Sequence, residues 1–173
     1  MKRNYIFIGG GKGVGKSTII EEVKKRIGLD VVNTGDFFHK YGKDGEKHLI
    51  EYLLKHTGMV VDTHYAGHTN GAFDDKYTRG MSGDNLKMLS AQRDLDLILI
   101  DTTASSVLQR RFKDLSEKRN LNYQHIKSEL QVNRDNFNTY SKELGINGHI
   151  VMNDNLYGAI LCVTNIINDI KIK

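Results

Sequence analysis

Short apolar runs alternate with helix-like segments along the 173-residue chain. The apolar runs predict strands, because a few consecutive apolar residues bounded by polar or glycine positions are typical of buried strands. Five strands are expected, at about residues 5–8, 31–32, 59–61, 96–101 and 150–152. Apolar residues spaced three or four apart predict helices at about residues 19–27, 37–57, 84–92, 104–119, 123–144 and 155–170.

Strands that alternate with helices in this way favour a parallel sheet with helices on both faces. The run at 96–101 is the clearest strand, and its central residues are all apolar, so both of its faces should be covered. The pattern contains no linker, internal repeat or low-complexity segment. We therefore predict a single domain over residues 1–173.

The first predicted strand leads into the sequence GGKGVGKS at residues 10–17, which fits G-x-x-x-x-G-K-[ST] at every fixed position. Glycines let backbone N–H groups surround a polyphosphate, and the start of the following helix also favours an anion. Lys16 supplies a charge for the β and γ phosphates, Ser17 a hydroxyl for Mg²⁺, and Thr18 a nearby helix cap. For Lys12, a solvated position is the alternative. The predicted ATP-binding residues here are Gly10, Gly11, Lys12, Gly13, Val14, Gly15, Lys16, Ser17 and Thr18.

The second and third predicted strands end in polar residues that indicate an acceptor site. Thr34, Gly35 and Asp36 offer a hydroxyl, a flexible backbone and a carboxylate at a helix start, although a plain capping turn has the same composition. Asp62 follows the third strand, where a carboxylate for Mg²⁺ is wanted. The loop from His64 to Gly83 is long for a small domain and should be functional or mobile.

Arginines concentrate in the two helices predicted after the fourth strand. These helices are joined at Asn120 to Asn122 and resemble a small lid over about residues 110–135. Arginine's planar fork suits the neutralisation of charge during phosphoryl transfer, and a solvated helix face is the alternative. The arginines concerned are Arg110, Arg111, Arg119 and Arg134.

Composition narrows the class of protein only slightly. Lys and Arg total 25 against 21 Asp and Glu, and this net charge of +4 suits a small polyanion as well as nucleic acid. No aromatic and basic strand pattern supports nucleic-acid binding. The single cysteine, Cys162, lies in an apolar run, which predicts a buried thiol in a reducing compartment. No apolar stretch reaches about 18 residues, so we expect no membrane span and a cytoplasmic location.

Taken in order, several segments resemble those of adenylate kinases and related nucleoside monophosphate kinases, especially the archaeal type. The segments are GGGKGVGKSTI, VNTGDFF, VVDTH, HTNGAF, DLDLILIDTTASSVLQRRFKDLSEKRN, VNRDNF and HIVMND. The resemblance implies a three-layer α/β/α P-loop NTPase fold with a five-stranded parallel sheet and a small helical lid. It also implies transfer of the γ-phosphate of ATP, with Mg²⁺, to a nucleoside monophosphate, most simply AMP, and a possible homo-oligomer.

Position by position, the resemblance implies four groups of site residues. The catalytic group is Lys16, Arg110, Arg111, Arg119 and Arg134. The monophosphate group is Thr34, Gly35, His39 and His64. Ser17 and Asp62 belong to the Mg²⁺ site, and Asn153 marks the region whose backbone touches the adenine of ATP.

The chain departs from the family pattern on the acceptor side. His39 and Glu117 stand where the family favours arginine, and the acceptor segment, about residues 36–58, is short. Two alternatives therefore remain beside a nucleoside monophosphate kinase. One is a P-loop kinase with another small-molecule acceptor, and the other is a nucleotide-dependent switch or assembly factor.

Overall fold

The protein forms one central parallel sheet. The computed structural model describes residues 4–65, 67–68, 77–78, 81–114 and 119–172. The strands of this sheet are β1 (Tyr5–Gly9), β2 (Val31–Asn33), β3 (Val60–Asp62), β6 (Leu95–Asp101) and β7 (Asn147–Met152). They lie side by side in the order β2-β3-β1-β6-β7. All neighbouring strands of this sheet are parallel, which confirms the five-stranded parallel sheet. A separate antiparallel pair joins β4 (Gly67–His68) to β5 (Tyr77–Thr78).

Helices connect the strands, and besides shifts of up to three residues at helix ends, two of the predicted helices differ from the observed ones. The helices are α1 (Lys16–Ile27), α2 (Thr34–Tyr41), α3 (Gly45–Lys55), α4 (Gly83–Ser90), α5 (Ala104–Lys113), α6 (Tyr123–Leu144) and α7 (Leu156–Ile172). The single helix predicted at 37–57 is instead α2 and α3, separated by a 3-10 turn at Gly42–Asp44. Gly42 has φ 58° and ψ −133°, a backbone conformation that interrupts a helix and that glycine tolerates best. The helix predicted to reach residue 119 ends at Lys113, and residues 115–118, with Glu117, lie outside the described part.

Two hydrophobic cores cover the two faces of the sheet. On β6, Ile98 and Ile100 belong to the core that α1 and α7 cover, whereas Leu97 and Leu99 belong to the core that α3 and α4 cover. All residues of β6 are buried, which confirms the prediction that both of its faces are covered. The helix α6 contributes side chains to both cores.

Cys162 is exposed, so the prediction of a buried thiol is wrong. The core-facing residues of α7 include Ala159, Ile160, Val163 and Ile167, which repeat at helical spacing. Cys162 stands between these positions and turns away from the sheet. An apolar run on its own therefore overstated how much of this helix is covered. Among the described residues, no helix combines the length and apolarity needed to cross a bilayer.

Parallel strands place their carboxyl ends along one edge of the sheet, where open α/β sheets form their sites. At this edge lie the glycine-rich loop after β1, Asp62 at the end of β3, Asp101 at the end of β6 and Asn153 after β7. The candidate functional site is built from these ends and from the helices that follow them.

Candidate functional site

The loop between β1 and α1 presents open backbone amides at the start of a helix. Gly13 and Gly15 have φ of 86° and 88°, in the left-handed region that favours glycine. Gly15 is also the N-cap residue of α1, and no side chain caps the helix. Thr18, predicted as a cap, instead lies exposed in the first turn beside the exposed Ser17. The first N–H groups of α1 therefore have no intrahelical acceptor and stay available to an anion.

Side chains from surrounding elements hold three alternate carbonyl groups of this loop. The contacts are His64 Nδ1 to Gly10 O at 2.7 Å, Arg111 Nη2 to Lys12 O at 2.7 Å, Arg110 Nη1 to Val14 O at 2.8 Å and Asn153 Nδ2 to Val14 O at 2.7 Å. The peptide bonds of the described residues include no cis bond, and in a trans peptide the N–H points opposite to the C=O. The N–H groups of Gly13 and Gly15 therefore point away from these side chains, toward the open side of the loop.

Lys16 and Asp62 form an ion pair at the base of the site. Lys16 is the first residue of α1 and is only 7% exposed, and its Nζ donates to Asp62 Oδ1. The second oxygen of Asp62 accepts from Asn33 Nδ2 at 3.2 Å. This arrangement brings together the predicted phosphate-binding lysine and the predicted metal carboxylate. Asp62 and the Ser17 hydroxyl supply oxygen donors of the type that Mg²⁺ prefers.

His64 lies two residues after the end of β3 and contacts the glycine-rich loop. Because a carbonyl oxygen only accepts, the contact with Gly10 O requires a proton on Nδ1, which leaves Nε2 as an acceptor. Burial, and to a lesser degree the charge of Lys16, lower the pKa of His64 to about 4. His64 is therefore neutral at pH 7.

Arg110 and Asn153 both donate hydrogen bonds to the second half of the glycine-rich loop, at Val14 O. Arg110 Nη2 donates to Asn153 O at 2.6 Å, and the backbone N–H of Asn153 donates to Asp101 O at 2.7 Å. A Cβ on Gly15 would stand 2.4 Å from Asn153 Nδ2, so only glycine fits there. Asn153 is 1% exposed, and its Oδ1 is a buried acceptor without a hydrogen-bond partner among the described residues. The resemblance assigns adenine contacts to backbone groups here, but both backbone groups of Asn153 already have protein partners.

Arg111 is buried against the first half of the loop. Its Nη2 also donates to Glu129 Oε2 at 2.7 Å, and Glu129 Oε1 accepts from the backbone N–H of Lys12 at 2.7 Å. Both side chains of this ion pair are 4% exposed. The predicted catalytic Arg111 thus contacts loop backbone in this conformation, whereas the Lys12 residue is itself exposed, in agreement with a solvated side chain.

The remaining predicted arginines are Arg134, on α6, and Arg119, between the end of α5 and the start of α6. Arg134 donates through Nε to Asp101 Oδ2 and through Nη2 to Asp101 Oδ1, and this carboxylate raises the pKa of the guanidinium. Arg119 Nε donates to Asp114 Oδ2 at 2.9 Å, beyond the end of α5. The two arginines are thus held by separate carboxylates rather than by one shared cluster.

On the acceptor side, α2 begins at Thr34, which is buried. The helix cap is Asn33, whose Oδ1 accepts from the N–H of Gly35 at 2.7 Å, so the expected capping carboxylate of Asp36 does not serve as the cap. His39 lies exposed on α2. Most of the loop that follows His64, including residues 69–73 of the segment HTNGAF, lies outside the described residues, as does the side chain of His68.

Sequence reasoning missed three residues that contact this site: Asn33, Asp101 and Glu129. Glu129 carried a detectable signal, because it stands beside Leu130 on the buried face of α6, where an apolar residue is expected. Asp101 also carried one, because a buried acidic residue ends the clearest strand. Asn33 precedes a helix start, which is the usual sign of a cap.

The sequence matches no protein-family model, and no curated protein is significantly similar to it. Solved structures nevertheless share its fold over nearly the whole chain. YorR from Bacillus subtilis, solved in complex with phosphorylated GDP, is 12% identical with a TM-score of 0.68, over 95% of each chain. Shikimate kinase from Bacteroides thetaiotaomicron is 12% identical with a TM-score of 0.59, over 95% of this chain and 98% of that one. A gluconokinase from Sinorhizobium meliloti is 11% identical with a TM-score of 0.59, over 98% and 97%.

These likenesses establish the fold. The chain has the α/β fold of P-loop small-molecule kinases, with the sheet order 2-3-1-4-5 when only the strands of the central sheet are numbered. At identities this low, they do not carry over a substrate.

Proposed function

We propose that the protein is a kinase that transfers the γ-phosphate of Mg²⁺-bound ATP to a small-molecule acceptor. The observation that carries this proposal is the loop at residues 10–17, whose Gly13 and Gly15 amides and uncapped helix start face the same open side. Lys16 lies at that helix start with an acidic partner beside it. Such a site binds a polyphosphate through backbone amides and one mobile ammonium group.

Transfer at this site depends on positioning and on charge stabilisation. When a triphosphate enters, Lys16 would exchange its contact with Asp62 for the β and γ phosphates, which frees a carboxylate oxygen of Asp62 to act with the Ser17 hydroxyl as oxygen donors. Mg²⁺, held by these oxygens, would neutralise charge on the transferred group. An acceptor oxygen then forms a bond to the γ-phosphorus while the bond to the β–γ bridging oxygen breaks, and the acceptor's proton leaves to solvent.

The acceptor is proposed to lie between the ends of β2 and β3, near Thr34 and His64. The motif resemblance favours a nucleoside monophosphate there, with AMP first. However, the chain has no arginine from residue 27 to residue 78. A phosphate-bearing acceptor therefore lacks the bidentate grip that arginine provides. This favours a small hydroxyl-bearing acceptor, in keeping with the fold of the shikimate and gluconate kinases.

An acceptor panel tests this proposal. Purified protein with Mg²⁺ and ATP is given AMP, other nucleoside monophosphates, shikimate or gluconate, and ADP formation is followed together with ³¹P NMR of the product. We expect one acceptor to accelerate ADP formation to about 1 s⁻¹ or faster, the usual range for kinases. The variant Lys16→Ala should lose this activity, whereas Lys25→Ala, which removes an exposed lysine of the same helix, should keep it.

The identity of the active acceptor separates the two main alternatives. Two molecules of ADP formed for each AMP consumed would establish a nucleoside monophosphate kinase. A phosphorylated hydroxy acid, with no response to any monophosphate, would establish the other kinase class. ATP binding without transfer to any member of the panel would contradict the proposed kinase function.

A further inference from the structure

A buried glutamate of α6 contacts the glycine-rich loop directly. Glu129 is 3% exposed, and both of its carboxylate oxygens are used: Oε1 accepts from Lys12 N and Oε2 accepts from Arg111 Nη2, each at 2.7 Å. A carboxylate is costly to bury unless each oxygen is satisfied. Here one of the two groups that donate to Glu129 is a backbone amide of the glycine-rich loop itself. An ion pair that only joined α5 to α6 would not need this contact.

Arg111, the partner of Glu129, holds the same loop residue from its other side. Arg111 Nε and Nη2 donate to Lys12 O at 3.2 and 2.7 Å, and Nη1 donates to Asn120 O at 3.1 Å. The guanidinium is therefore occupied by backbone carbonyls and by Glu129. The backbone N–H and C=O of Lys12 are thus both fixed by one buried ion pair that belongs to α5 and α6.

Because peptide units are planar, the contacts of Arg111 and Glu129 with Lys12 also fix the orientation of the neighbouring peptide groups. With Lys12 O turned toward Arg111, the N–H of Gly13 points in the opposite direction. With Lys12 N–H turned toward Glu129, the carbonyl of Gly11 also points in the opposite direction, and it accepts from Val14 N at 3.4 Å. The ion pair therefore turns the Gly13 amide toward the open side of the loop, where a phosphate would lie.

We propose that Glu129 is a positioning residue of the nucleotide site, which sets the affinity for a polyphosphate by holding the peptide units on either side of Lys12. This inference rests on the proposed function, because it assumes that the loop binds a nucleotide. Buried ion pairs are often neutral for stability when both members are replaced together. If Glu129 positions the loop, its replacement should lower the affinity for a polyphosphate even in a variant whose stability is unchanged.

The first test compares Glu129→Gln with Glu143→Gln, the same change at an exposed position of the same helix. Calorimetric titration with Mg²⁺-ATP gives Kd, and thermal unfolding confirms that each variant is folded at the assay temperature. We expect Kd to rise about tenfold in Glu129→Gln, because a charge-assisted hydrogen bond to Arg111 is lost, and to stay unchanged in Glu143→Gln. The kcat at saturating ATP should stay within about threefold of the wild-type value, as expected when binding alone is impaired.

A second variant keeps the proposal testable if Glu129→Gln does not fold. The double variant Arg111→Met and Glu129→Met removes both charges together and leaves no unpaired ion. We expect it to fold and to bind Mg²⁺-ATP about tenfold or more weakly, since Lys12 loses both contacts. A folded variant of either kind that binds within about threefold of wild type, or more tightly, overturns the inference. Failure of the wild-type protein itself to bind Mg²⁺-ATP would instead refute the proposed function.

Discussion

The surroundings of His64 keep its side chain in the neutral form at pH 7. Its Nδ1–H is donated to Gly10 O, and burial disfavours the protonated ring. The ring thus supports the loop backbone and presents Nε2 as an acceptor of hydrogen bonds.

The pKa of His64 predicts a specific pH dependence of stability. The folded pKa is about 4 against an ordinary value of 6.5, so the unfolded chain binds the proton first as pH falls. The free energy of unfolding should therefore fall between pH 6.5 and pH 4, by at most about 3 kcal/mol, and change no further below that window through this group. Urea unfolding of wild type and of His64→Gln measures the difference.

The matched control for this measurement is His39→Gln, which replaces an exposed histidine of α2. It should show the same pH profile as wild type, whereas His64→Gln should lose part of the slope between pH 6.5 and pH 4. Equal slopes in wild type and His64→Gln would show that the ring is not held neutral in the fold.

At the scale of elements, the last residue of β1 packs tightly against Tyr65, three residues after the end of β3. A Cβ on Gly9 would stand 2.4 Å from the ring of Tyr65, which is 1% exposed and packs against Phe137. The Tyr65 hydroxyl lies 3.0 Å from Phe7 O and 3.1 Å from Ile98 O, so the ring cannot shift without losing these contacts. Burial raises the pKa of this hydroxyl well above its usual value, which keeps it protonated as a donor.

Gly9→Ala should therefore destabilise the fold by about 1–3 kcal/mol, the usual cost of forcing an extra methyl group into a packed core. Gly158→Ala, in α7, is the comparison, because the nearest atoms to its Cβ lie 3.7 and 4.0 Å away. Alanine is the better helix former, so this second change should raise stability by up to about 1 kcal/mol. Thermal unfolding of both variants tests the contrast, and equal Tm values would contradict the packing described for Tyr65.

The elements that the sequence predicted well are those whose pattern is local. The apolar run of β6 and the glycine-rich loop followed by a helix depend on neighbouring residues, and both agree with the structure, although the helix begins at Lys16 rather than at about residue 19. The exposure of Cys162 was missed because the prediction followed the apolar run rather than the helical periodicity of α7, which leaves Cys162 off the buried face. The ion pair of Glu129 with Arg111 joins two helices, and no local spacing predicts it.

At the scale of the whole molecule, the sheet order determines which residues meet. Because β1 lies between β3 and β6, the loop after β1 is flanked by Asp62 on one side and by Asp101 on the other. Asp62 pairs with Lys16, whereas Asp101 pairs with Arg134 of α6. The fold thus gathers these two acidic strand ends and their cationic partners around a set of open backbone amides.

The most direct test of this account is calorimetric titration of Mg²⁺-ATP into the folded wild-type protein and into Lys16→Ala. The account predicts saturable binding at one site per chain, and a loss of at least about tenfold in affinity for Lys16→Ala, since an ammonium contact to the phosphates is removed. The absence of measurable binding to the folded wild-type protein, or equal affinity in the two proteins, would contradict it.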